Sequence, residues 1–200
     1  MAGRSSGGES SSVSPKRSGG RGTLIGVGHT VIPVPVPALD TIAHRLAAAP
    51  VCPHVTLLGP FMDRGVVDDD VVGAIREVLE PVRAFDFELS AVSHFLGGPT
   101  YLAPDPAEPF IQLTEMLAAA FPQWPPYGGA FDEVIPHLSI GEALPESEVA
   151  VLRELLPINA TADEVTLTWW SEHVAEVLVR FPLRPQRSQV TMAARTTAPR

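Results

Sequence analysis

The sequence predicts an α+β fold, and three observations carry that expectation. Apolar residues make up 45 % of the 200 residues, enough for a substantial core. Segments with the two-residue period of strands are interleaved with segments of helical period. Some strand segments come as sequential pairs, which departs from the regular strand–helix alternation of a doubly wound parallel sheet.

The elements follow in chain order. Residues 23–36 are β-branched and extended, and the prolines at 33, 35 and 37 suit an edge strand or a strand exit. Residues 37–49 are the first helix candidate, with Leu39, Ile42 and Leu46 on one face. Residues 54–61 read as a short apolar strand. Asp68, Asp69 and Asp70 supply a cap and an acidic first turn for a helix through Val72, Ile75, Val78 and Leu79, stopped near Pro81. From 85 to 94, Phe85, Phe87, Leu89 and Ala91 alternate with Asp86, Glu88 and Ser90, a strand period, and 99–103 is its hairpin partner across Gly97-Gly98. Residues 108–121 are helical, with Phe110, Leu113, Leu117 and Phe121 in register, and 123–130 are a Pro/Gly-rich loop. A strand at 136–141, a helix at 146–156 and a strand pair at 165–170 and 174–183 complete the set.

The charge is unevenly distributed. Residues 1–21 and 185–200 each carry +3 and lack apolar content, so they read as a disordered N-terminal tail and a flexible C-terminal tail around one domain at 22–184. That domain has seven arginines, no lysine and 22 acidic residues, a net −15. Such a body repels a long polyanion. No apolar run approaches the roughly eighteen residues of a membrane span. The lone Cys52 excludes an internal disulfide and a cysteine-based zinc site. The N-terminal stretch lacks the apolar middle of a secretory signal, so a cytoplasmic protein is expected.

One internal repeat stands out. Pro53-His54-Val55-Thr56-Leu57 is matched by Pro136-His137-Leu138-Ser139-Ile140. Each reads Pro, His, aliphatic, hydroxyl, aliphatic, a pentamer expected by chance at on the order of one position in 10⁵. Each lies on an apolar strand with an acidic-started helix after it, which points to duplication. On a strand, His54 and Thr56 share one face while Val55 and Leu57 take the other, and the same holds for His137 and Ser139. If a pseudo-twofold axis relates the halves, the two His–hydroxyl pairs converge. Two facing imidazoles suit in-line displacement at phosphorus. One neutral ring takes a proton from the attacking oxygen; the other, protonated, gives one to the leaving oxygen. Thr56 and Ser139 can donate to the non-bridging oxygens. The scheme needs no cofactor and no metal, and neither motif offers a second zinc ligand.

On these residues the sequence resembles the 2H phosphoesterases, also called the 2′-5′ RNA ligase-like or LigT-like superfamily. Their signature is a pair of His-x-Thr/Ser-x motifs on strands of two similar lobes. Here the motifs are His54-Val55-Thr56-Leu57 and His137-Leu138-Ser139-Ile140, 83 residues apart. The longer forms Pro-His-Val-Thr-Leu-Leu-Gly-Pro-Phe and Pro-His-Leu-Ser-Ile-Gly are also typical. The resemblance covers about 22–184 and leaves out both tails. It implies a bilobal LigT-like fold: two pseudo-symmetric antiparallel-sheet lobes, helices outside, and a central cleft. It also implies metal-independent hydrolysis of a 2′,3′-cyclic phosphate, to the 2′-phosphate, or of a 2′-5′ phosphodiester. By position, His54, Thr56, His137 and Ser139 carry over as catalytic residues. One departure is that Gly141-Glu142 follow the second motif, where many relatives have a basic residue.

Three aromatic residues are substrate-binding candidates, each with a structural alternative. Phe61 can stack on a base at the cleft mouth or pack in the core. Tyr127, in the loop before the second motif, can touch a ligand or simply be exposed. Of Trp169 and Trp170, which point to opposite faces of a strand, Trp170 is the candidate for the cleft. His29, His44, His94 and His173 lack a partner motif, and Cys52 reads as a small packed side chain. The expected partner is a small nucleotide or an RNA-end cyclic phosphate, with no membrane and no long nucleic acid, acted on by a monomer. The alternatives are a non-catalytic nucleotide-binding module of the same fold and RNA end-joining.

Overall fold

The structure is a computed structural model. It describes residues 28–40, 52–131, 133–141, 144–171 and 174–186. Among the described residues, eight strands form two four-stranded antiparallel sheets and three α-helices accompany them, so the fold is α+β. The first sheet has the order β2-β1-β7-β8 and the second β5-β4-β3-β6. The strands are β1 (His29–Pro35), β2 (His54–Leu58), β3 (Phe85–His94), β4 (Thr100–Asp105), β5 (Leu138–Gly141), β6 (Ile158–Ala162), β7 (Glu164–Trp170) and β8 (Ala175–Pro182). The helices are α1 (Asp69–Leu79), α2 (Glu108–Ala120) and α3 (Glu146–Leu155).

The two sheets share a plan. Each has a repeat strand, β2 or β5, at one edge, next to a strand that precedes it in the chain, β1 or β4. Each then has a third strand and a closing edge. α1 follows β2 and α3 follows β5, as duplication implies. β2 lies beside β5, so the junction of the sheets is where the two motifs meet. The core is continuous across the junction. Val55 and Leu57 from β2 and Leu138 from β5 join Phe110, Leu113 and Leu117 of α2, all nearly inaccessible. Asp68 caps α1 by accepting from the Val71 amide at 3.0 Å, and Asp69 and Asp70 complement the positive helix end.

Four expectations need correcting. β1 is an inner strand, yet it tolerates Pro33 and Pro35. It pairs with β7 only through His29–Val31 and with β2 through 32–35, with a register irregularity between Ile32 and Pro33. Along the proline half it has one neighbour, so the missing N–H groups cost no ladder bond. β4 runs on to Asp105 through Pro104, which sits opposite Leu89 beside a register shift in β3. β6, made of Ile, Asn, Ala, Thr and Ala, was not expected as a strand; it pairs along Phe85–Leu89. Cys52 is exposed rather than packed. The helix expected over 37–49 begins as a 3-10 turn at Pro37–Leu39, and beyond residue 40 it lies outside the described residues, as do His44, His173 and the basic segments 1–21 and 187–200. Among the described residues no helix is long and apolar enough to cross a membrane.

Candidate active site

The alternation expected of each motif is present. On β2, Val55 and Leu57 are buried while His54 and Thr56 are half-buried on the opposite face. Leu138 and Ile140 of β5 are buried and Ser139 is exposed. His137 stands one residue before β5, half-buried.

The two imidazoles are anchored in the same way. Nδ1 of His54 lies 2.8 Å from the carbonyl oxygen of Cys52, and Nδ1 of His137 lies 2.7 Å from that of Ile135. In both cases the partner is two residues back. A carbonyl only accepts, so Nδ1 carries the proton and donates. That leaves Nε2 of each ring as the basic nitrogen, with its lone pair free in the neutral form and a transferable proton in the charged form. Both rings have pKa values below the ordinary 6.5. Burial is the main cause for each. For His54 the Cys52 carbonyl works against this, and the proximity of His137 depresses the value further. A charge on one ring therefore makes a charge on the other harder to add, so the pair holds at most one proton more readily than two.

Aromatic side chains wall in both histidines. Trp170 meets His54 edge-on at 4.8 Å between centroids. Its Nε1 is buried and unpartnered. Trp169, facing the other way, lies under the Arg64 guanidinium. Tyr127 stacks over His137 at 6.1 Å and 20°. Its φ of 52° is the left-handed region, costly for a residue with a Cβ. A bond from its amide to the Gly59 carbonyl, 2.7 Å, ties this turn to the end of the first motif. Burial pushes its phenol up to about 12, so it stays a neutral donor.

Of the sequence candidates, the structure therefore gathers His54, Thr56, His137, Ser139, Tyr127 and Trp170 around the β2–β5 junction. Phe61 goes elsewhere. It is 5 % exposed and packs edge-on against Phe121 and Trp124, so the core reading replaces the stacking one. Three residues were overlooked. Phe95 and Tyr101 both face His137 edge-on, at 4.9 and 5.5 Å. The only hint was an aromatic side chain beside the polar-free hairpin tip Leu96-Gly97-Gly98. His29, read as ordinary, sits 6.3 Å from Trp170.

The described arginines make contacts away from the two histidines. Among the described residues, Arg64, Arg153, Arg180 and Arg184 pair with Glu176, Glu146, Glu164 and Glu80. Arg83 donates to the Pro185 carbonyl, and Arg76 lies over Phe181. Although Cys52 as a residue is exposed, partial burial of its sulfur and then Asp40 push the thiol up to about 11, so it is not a nucleophile at neutral pH. Among the described residues no three His, Cys, Asp or Glu side chains are grouped to hold a metal ion.

The sequence pattern of the 2′-5′ RNA ligase superfamily matches residues 38–174, more than half of the chain. No curated protein matches the sequence. Among solved structures, E. coli LigT in its apo form is 18 % identical, with a TM-score of 0.53 over 78 % of this chain and 98 % of LigT. The same protein complexed with 3′-AMP superposes with a TM-score of 0.51 at 18 % identity, over 78 % of this chain and 98 % of that one. TT0787 of Thermus thermophilus is 16 % identical, with a TM-score of 0.52 over 79 % of this chain and 99 % of its own. At these identities the likeness is one of fold.

Proposed function

The chain belongs to the 2′-5′ RNA ligase superfamily, and from that premise we propose that it is a phosphodiesterase. It opens the 2′,3′-cyclic phosphate of a nucleotide or short RNA end, or cleaves a 2′-5′ phosphodiester, by two-histidine acid/base catalysis. The observation that carries this reading is the matched pair of Nδ1–carbonyl bonds at His54 and His137, which leaves two Nε2 atoms on one coupled pair of rings. LigT's structure with 3′-AMP supports a small nucleotide as the ligand class.

In the proposed reaction, water attacks phosphorus while Nε2 of the neutral histidine takes its proton. The bond from phosphorus to the leaving ribose oxygen breaks, and Nε2 of the protonated histidine supplies that oxygen's proton. The product is a phosphomonoester, the 2′-phosphate for a cyclic substrate. The two rings end in exchanged protonation states, and proton exchange with solvent resets them. Thr56 and Ser139 donate to the non-bridging oxygens, where negative charge concentrates. The protonated histidine also supplies positive charge beside the phosphate. A cytoplasmic monomer fits this role.

The test is an endpoint assay. The four nucleoside 2′,3′-cyclic monophosphates are incubated in EDTA with wild type and with the His54→Ala/His137→Ala double variant, and the 2′- and 3′-phosphates are resolved. Product from wild type alone is expected. Equal turnover by both proteins defeats the proposal, and tight nucleotide binding without product moves the chain to the binding-module alternative.

A further inference from the structure

A groove of about 470 Å³ opens beside His137, between the β3–β4 hairpin tip and the segment leading into β5. This is the size range of small-molecule sites. Its walls are Phe95, Leu96, Pro99, Phe131 and Ile135, with Tyr127 and His137 at one end. Leu96 is fully exposed, Phe131 65 % and Ile135 44 %. Three large apolar side chains left in water around one concavity mark a surface that gains by being covered. The aromatic rings among them offer faces to a planar group. Among the described residues, the one acidic lining group is the carboxylate of Glu133, and no arginine or lysine lines the groove.

We propose that this groove receives the nucleobase of a mononucleotide and that Glu133 bars a second phosphate from it. This rests on the two-histidine reading above. His137 is a wall both of the site of phosphoryl chemistry and of the groove, so the sugar and base attached to a phosphate held there extend along the apolar walls. A base is planar and uncharged and suits them. A further phosphodiester, as in an RNA chain, brings an anion to a surface where the described lining holds a carboxylate and no arginine or lysine. Like-charge repulsion, strongest at low salt, makes that placement unfavourable. The substrate is accordingly a nucleoside cyclic phosphate rather than an RNA end.

The experiment measures dissociation constants by calorimetry at low salt for three probes: adenosine 2′-monophosphate, methyl riboside 2-phosphate, which lacks the base, and adenosine 2′,5′-bisphosphate. Wild type is expected to bind the monophosphate about ten-fold tighter than either other probe. Phe131→Ala, at an exposed position, is expected to erase most of the advantage over the base-free probe. Glu133→Gln is expected to erase most of the advantage over the bisphosphate. Equal affinity of wild type for the base-free probe, equal affinity for the bisphosphate, or no binding of any probe overturns the inference. Turnover of adenosine 2′,3′-cyclic phosphate, measured in parallel, separates the two claims. Histidine-dependent turnover without base preference defeats only the groove. Base-dependent binding without histidine-dependent turnover defeats only the catalytic reading.

Discussion

Replacing each histidine with asparagine separates the two nitrogens of its ring. The asparagine amide nitrogen sits where Nδ1 sat, so it can keep the bond to the Cys52 or Ile135 carbonyl, at 2.8 and 2.7 Å in the wild type. Nothing then replaces Nε2. Loss of one general acid or base costs about 10²–10⁴ in rate, which is about 3–5 kcal/mol of transition-state stabilisation. His54→Asn and His137→Asn are each expected to fall by that factor on whichever cyclic phosphate wild type opens. Alanine at either position should be equally inactive but also lose the hydrogen bond, worth about 1 kcal/mol. For a domain of this size that lowers the melting temperature by roughly 2–4 °C relative to asparagine. The assay is initial rates and calorimetric melting on the five proteins side by side. An asparagine variant that keeps more than about a tenth of the activity refutes the assignment of Nε2. Alanine and asparagine variants that melt alike refute the assignment of Nδ1 as the anchoring donor. The double asparagine variant should be less impaired than the product of the single effects, because acid and base act in one step.

Other predictions follow from the same geometry. Both histidines have pKa values below 6.5 in the folded state, so below that pH the unfolded chain binds more protons than the native one. Stability is then fully present above 6.5 and falls as pH drops through it. Melting curves between pH 8 and 5 should show the decline, and the double asparagine variant should show less of it. Phe61→Ala removes a ring packed on Phe121 and Trp124 and should cost about 3–5 kcal/mol in urea unfolding with KM unchanged. A raised KM at unaltered stability would return Phe61 to the site. Tyr127→Phe keeps the ring over His137 and should change kcat by no more than about ten-fold, the scale of one neutral hydrogen bond, about 0.5–1.5 kcal/mol. Tyr127→Gly relieves a positive φ worth about 1–2 kcal/mol yet should lose activity. Equal activity of these two variants would leave the ring without a role at His137.

Much of the site was legible because its logic is local. A histidine and a hydroxyl two positions apart share a strand face whatever the rest of the chain does, and the buried aliphatic residues between them confirm that register at Val55, Leu57, Leu138 and Ile140. The cap at Asp68 and the strand period at 85–94 are equally local. The parts that could not be read depend on distant partners. Ile158–Ala162 has little intrinsic reason to be a strand and becomes one because β3 offers it an edge. Phe95 reaches His137 from 42 residues away because β4 lies between their strands in the sheet order.

The sequence by itself therefore determined the chemistry on offer: two His–hydroxyl pairs, the faces they share, an acidic lysine-free body, and the α+β class, since each follows from residue type and a period of two. Tertiary structure alone decided how that chemistry is housed. It placed Phe61 in the core and Tyr127 on His137, made β1 an inner strand despite its prolines, and opened the apolar groove beside the second motif. Those outcomes depend on which surfaces meet and exclude water, and a linear pattern does not record which segments will meet.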